Sequence, residues 1–216
     1  TIDSTKEYFI DGIINIGLTQ IRVPENGIRL QGYSAQLSGL ISTEDNHTMF
    51  INETAICGTI FLSFLSIIES GTNSKVYDLV NDGTGFYFNS GIFYINCTSL
   101  GELDSFSQGV EENVIKAGGS PSLTLSGTWE GWGATSIRMR SMSNTTTKPI
   151  FDKGTNFTMN SRFAFESNID LGTLQPFLGF EPANFPNPST LQLRDCQITR
   201  NGIHNSNDTN LTPNIS

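Results

Sequence analysis

Positive charge is scarce in this chain. Its 216 residues include 12 Lys and Arg against 21 Asp and Glu, a formal net charge of -9, and the basic residues are scattered without a cluster. A nucleic acid needs a basic footprint to neutralise its phosphates, so nucleic acid is excluded as a partner. The acidity selects no cationic ligand in turn, because a solvated acidic face accounts for it. Cysteine is nearly as scarce. Cys57, Cys97 and Cys196 lie far apart, with no C-x-x-C pair and no neighbouring His, which excludes the usual zinc and redox patterns. They read as buried free thiols, with one disulfide pair left open for an oxidising setting. No run approaches the ~20 apolar residues that span a bilayer. The longest, Ile60 to Ile68, is broken by Ser63 and Ser66, so no membrane insertion is expected.

Catalytic and cofactor signatures are also missing. Asn81-Asp82-Gly83-Thr84-Gly85 has the look of a phosphate-cradling or calcium loop, but it lacks the Walker lysine and the carboxylate spacing of a calcium site. A tight corner is the expectation there. His47 sits in the polar stretch Ser42 to Thr48 with no nucleophile motif, and reads as a solvated loop residue without a role. No catalytic residue, metal ligand or cofactor is assigned.

What the chain has in abundance is short alternating apolar runs fenced by turn formers. Ile28-Arg29-Leu30-Gln31-Gly32, preceded by the turn Pro24-Glu25-Asn26-Gly27, is the pattern of one half-buried strand with a corner at each end. Similar runs lie at Ile14 and Ile16, Ile21 and Val23, Phe86 and Phe88, Phe93 and Ile95, Leu123 and Leu125, Ile137 and Met139, Phe163 and Phe165, and Leu191 and Leu193. Their irregular spacing, and the lack of two-residue hairpin loops, predict an all-β right-handed parallel β-helix (β-solenoid) with irregular rungs. It is expected to form one domain over residues 1–216, a segment of a longer protein. Ile56 to Ile68 reads as consecutive buried strands. Leu103, Phe106 and Val110 recur at helical spacing, so Leu100 to Asn113 is expected to form a short side helix. Residues 143–160 read as a loop around Ile150-Phe151, Leu171 to Phe180 as resumed alternation, and Leu191 to Ile203 as a last coil.

Asn52, Asn89 and Asn96 are candidates for an inward corner ladder in which amides satisfy one another. Asn-x-Ser/Thr triplets at Asn46, Asn52, Asn96, Asn144 and Asn156 are read as chance in an Asn- and Thr-rich chain, with Asn96 placed in a core strand. Trp129-Glu130-Gly131-Trp132 sets two large rings around a carboxylate, which is how a sugar platform is built. Trp129, Glu130 and Trp132 are therefore the candidate glycan-binding residues. The alternative is that both indoles pack at a rung end or a subunit interface.

Ser42-Thr43-Glu44-Asp45-Asn46-His47-Thr48-Met49-Phe50, the stretch Gly71 to Val80, Asn96 to Gly101, Ile198 to Gly202 and Thr212 to Ser216 resemble segments of virion appendage proteins, of spike or tail-fibre type, from bacteriophages that infect flavobacteria. The resemblance covers most of the chain and implies a place on the virion surface. It carries no catalytic motif onto any position. The expectation is a non-enzymatic spike or tail-fibre component for host attachment. Its partners would be a host surface glycan or receptor and other virion proteins, and the chain would assemble as a homotrimer through the flat flanks of the helix. Two alternatives remain. One is a polysaccharide depolymerase, which needs two carboxylates ~5 to 9.5 Å apart in a groove, drawn from Glu44, Asp45, Asp78, Asp82, Asp104, Glu111, Glu112 and Glu130. The other is a connector that only spaces virion parts.

Overall fold

In a computed structural model of the chain, each short run hydrogen-bonds not to its sequence neighbour but to the equivalent run one turn later. The structure describes residues 3, 5–140, 143, 145–171, 175–200 and 203–204. The first turn comprises β1 (Glu7–Ile10), β2 (Ile13–Asn15) and β3 (Ile21–Val23), and the second β4 (Ile28–Gly32), β5 (Gly39–Ser42) and β6 (Thr48–Asn52). The third holds β7 (Ile60–Ser63), β8 (Ser66–Glu69) and β9 (Lys75–Val80), and the fourth β10 (Phe86–Ser90), β11 (Phe93–Ile95) and β12 (Gly101–Asp104). The fifth is β13 (Gln108–Glu112), β14 (Ile115–Ala117) and β15 (Leu123–Ser126). Beyond it lie β16 (Thr128–Arg140), β17 (Phe151–Lys153), β18 (Thr158–Leu171), β19 (Thr190–Arg200) and β20 (Ile203–His204).

First strands stack on first strands in the order β1-β4-β7-β10-β13-β16. Second strands stack as β2-β5-β8-β11-β14-β16, and third strands as β3-β6-β9-β12-β15-β17. The stacking is parallel throughout, except that β20 folds back antiparallel on β19. The protein is a parallel β-solenoid of about six turns. Along the first face Glu7 lies beside Arg29, Arg29 beside Phe61 and Gly131 beside Arg162, so a turn takes from 22 to 32 residues. Loops at the corners absorb the difference. Among the described residues no helix is long and apolar enough to cross a membrane.

Alternation decides what each strand puts inside. On the first face Leu62, Asn89, Glu111, Ala134 and Phe165 follow one another inward, turn upon turn. On the second the column is Leu40, Ile67, Tyr94, Lys116, Met139 and Ile169, and on the third Phe50, Tyr77, Gly101, Leu123 and Phe151. Each fully buried Leu, Ile or Phe contributes about 1.5–3 kcal/mol by leaving water. Trp132 fits because Gly109, its register partner on β13, has no side chain: a β-carbon there would sit inside the indole.

The corners depend on left-handed backbone. Asn46, Asn73, Asn96, Asn113 and Asn156 all have φ between 51° and 56°. Asn tolerates this region better than most residues. Each is followed by a buried residue: His47, Ser74, Cys97, Val114 and Phe157 respectively. Toward the C-terminal end the first two faces merge. β16 and β18 run through both, and the former corner survives in β16 as a register shift around Ser136, φ 56°.

Several expectations are corrected. Leu100 to Asn113 is not helical but contributes β12 and β13, joined through Ser105, φ 56°, and the buried Phe106. The loop over 143–160 contains β17 and the start of β18. The Asn52, Asn89, Asn96 ladder does not form. Asn52 bonds the Ala55 and Val80 carbonyls, Asn89 lies in the interior, and Asn96 is an exposed corner residue, not part of a core strand. A contact of that kind joins Asn73 Nδ2 to Asn46 Oδ1 at 3.4 Å. Cys57 and Cys97 are free and buried as expected, and Cys196 is free and partly exposed. Residues 172–174 of the run to Phe180, Asn144, and residues 201–202 and 212–216 lie outside the described residues.

Candidate functional site

The Trp129-Glu130-Gly131-Trp132 motif opens β16, and a bulge governs its geometry. The amides of Glu130 and Gly131 both donate to the Ser107 carbonyl, at 2.8 and 3.2 Å. The doubled contact lets two residues three apart face the same side. That side is the interior. Trp129 is 0% and Trp132 2% exposed. Trp129 Nε1 donates to the Ser126 carbonyl at 2.8 Å, and Trp132 stacks between Tyr87 and Phe163. Neither indole can offer a ring face to a sugar, so the expected tryptophan platform is corrected: both rings are core. Glu130 is thrown outward by the same bulge and is exposed.

Outside that bulge is a trough of about 410 Å³, lined by Gln108, Val110, Glu130, Gly131, Gly133 and Arg162 among others. Its depth follows from two glycines in outward positions. Gly131 lies in register between Gln108 and Arg162, and Gly133 between Val110 and Ala164. Glu130 is held by Asn160, whose Nδ2 donates to Oε1 at 3.0 Å. Arg162 is exposed, and among the described residues no carboxylate lies within ion-pair distance of it.

The trough continues a ridge of outward aromatics on the two turns below. Phe61 and Phe88 stack with centroids 4.5 Å apart and planes 5° from parallel, and the Arg29 guanidinium lies 4.7 Å from the centre of Phe61. Phe88 adjoins Val110 in register and Phe86, 44% exposed, adjoins Gln108. Sequence reasoning missed this ridge. The signal that finds it is the pair Phe86 and Phe88 flanking Tyr87: with Tyr87 inward, both phenylalanines must face solvent.

The other candidate acids are dispersed. Glu111 is fully buried and bonded by Lys116 Nζ at 2.9 Å, and Lys116 lies 4.5 Å from the centre of the Phe151 ring. Asp78 pairs with Lys75, Asp82 accepts from Thr84, Asp104 from Ser105 and Asp45 from the Thr72 amide. Of the eight, Glu130 alone lines the trough.

His47 is not a solvated loop residue. At 4% exposure it turns inward behind Asn46, with Nδ1 2.9 Å from Glu69 Oε2 and Nε2 3.2 Å from the Thr19 carbonyl. A carbonyl only accepts, so Nε2 carries a hydrogen. Burial pushes Glu69 above the usual carboxylate range, against the lowering effect of its bond to His47. Deeper in, the hydroxyls of Tyr77 and Tyr94 lie 2.7 Å apart, and Asn89 donates to Tyr87 and Tyr94. Burial raises all three phenols. These groups stabilise the interior and are closed to a ligand. Among the described residues no set of His, Cys, Asp or Glu is placed to hold a metal ion.

Comparison with protein-family models, curated proteins and solved structures gives no match.

Proposed function

We propose that this chain is part of a virion surface appendage that attaches to a host cell by binding a surface glycan along its first outer face, without cleaving it. The observation that carries the reading is the trough at Gly131 and Gly133 running into the Phe61–Phe88 ridge. Amide, carboxylate and guanidinium groups beside apolar rings suit hydroxylated ligands that also have apolar faces. The groups stand on hydrogen-bonded strands, so little conformational freedom is lost on binding. A single carboxylate in the trough favours binding over glycoside hydrolysis, which uses a pair. The virion setting rests on the resemblance of residues 42–50, 71–80 and 96–101 to appendage proteins. Assembly as a homotrimer and contact with other virion proteins belong to the same proposal, and Phe9, Tyr33 and Leu37, exposed near the first turns, offer apolar area for them.

Purified protein should compete with phage for adsorption to host cells and release no reducing ends from host polysaccharide. Phe88→Ala and Glu130→Ala should weaken the competition. Release of oligosaccharide would replace this reading with a depolymerase, and intact incorporation into virions without competition would leave a connector.

A further inference from the structure

We propose that the ligand of the trough is an acidic glycan whose carboxylate seats on the Arg162 guanidinium, an inference that rests on the glycan-binding reading above. The chain carries a net charge of -9, so an acidic polymer is repelled from most of its surface. It is admitted only where a cation is presented without a partner. Arg162 is such a cation: exposed, with no carboxylate among the described residues within ion-pair distance. Its neighbours in register are Gly131 on one side and Thr190 on the other, so no large side chain covers its fork of donors. A planar guanidinium binds a carboxylate through two parallel bonds, which a neutral hydroxymethyl group cannot reproduce.

Glu130 supplies the complementary restriction. Held by Asn160, it accepts from sugar hydroxyls and repels a carboxylate, so the acidic group is confined to the Arg162 side. Register places Gln108, Gly131 and Arg162 on three consecutive turns. With neighbouring strands about 4.8 Å apart, these groups address successive parts of a chain lying along the solenoid axis.

The test uses defined tetrasaccharides prepared in pairs, one member neutral and the other with the same linkage carrying C6 carboxylates, titrated calorimetrically into the full chain. Wild type should bind a uronate member about tenfold or more tightly than its neutral partner. Arg162→Gln should abolish that preference, so that the two members of a pair bind alike, and Arg162→Lys should restore part of it. If both members bind equally and Glu130→Gln weakens both, the acidic assignment is overturned and the glycan reading stands. If no member of any pair binds at millimolar concentration, both are overturned.

Discussion

Lys116 and Glu111 provide the sharpest test of the interior. Both side chains are fully buried, with Lys116 Nζ 2.9 Å from Glu111 Oε2, and Glu111 Oε1 has no hydrogen-bond partner among the described residues. Lys116→Met replaces the cation with a chain of similar length that packs against Phe151 but leaves the carboxylate uncompensated. Removing one member of a buried pair costs about 3–5 kcal/mol. The lost cation–π contact adds to this, roughly 2 kcal/mol for a desolvated case. With a urea dependence of about 3 kcal/mol per molar for a chain of this size, the unfolding midpoint should fall by roughly 2 M. The double variant Lys116→Met, Glu111→Met removes both desolvation costs and should recover most or all of the loss, since apolar replacement of a buried pair is often neutral or stabilising. Urea unfolding followed by tryptophan fluorescence reads both, because Trp129 and Trp132 are core residues. A single variant within about 1 kcal/mol of wild type, or a double variant less stable than the single, would refute the account of a mutually dependent pair.

Three further outcomes follow from the corners and the core. Because burial raises Glu69 above its unfolded value near 4.5, the folded chain holds that proton more tightly. Its stabilising effect is complete below that value and lost as pH rises through the folded one, so Glu69→Gln should flatten the decline in urea midpoint with rising pH. Burial pushes the Cys57 and Cys97 thiols up to about 12, so a thiol reagent near neutral pH should label Cys196 alone until denaturant is added. Asn73→Gly should be nearly neutral in thermal melts, whereas Asn73→Val, forced to φ 56°, should lose about 1–2 kcal/mol.

The solenoid was legible because short alternating runs between turn formers leave few other ways to satisfy the backbone. The errors arose where a corner or bulge resets the alternation. Leu103 and Phe106 imitate a helical period because Ser105 turns the chain between them and both then point inward. Across the β16 bulge, Trp129 and Trp132 share a side for a related reason, and no count of residues reveals on which side of the sheet it lies. His47 looked solvated among polar neighbours, but a left-handed Asn directs the next residue inward at all five asparagine corners described. The same habit explains three of the Asn-x-Thr triplets. At Asn46, Asn96 and Asn156 a corner Asn is followed by a buried residue and then by a β-branched Thr that enters or leads to a strand. The acidic partner of Lys116 lies only five residues away, yet nothing in the local pattern marks either as interior. Their burial depends on neighbouring turns.

The fit of Trp132 over Gly109 bears on how such a rod can change length. Turns stacked this way suggest freely exchangeable modules, to be duplicated or deleted one at a time. Here the indole of one turn occupies room left by a missing side chain on the turn before, so the two turns are heritable only as a unit. Deleting the turn that carries Gly109 would make Tyr87 the new register partner of Trp132, and the indole would lose the open space it now leans into and have to take another rotamer. Duplication within the tract would succeed on either side of this pair and fail between its members.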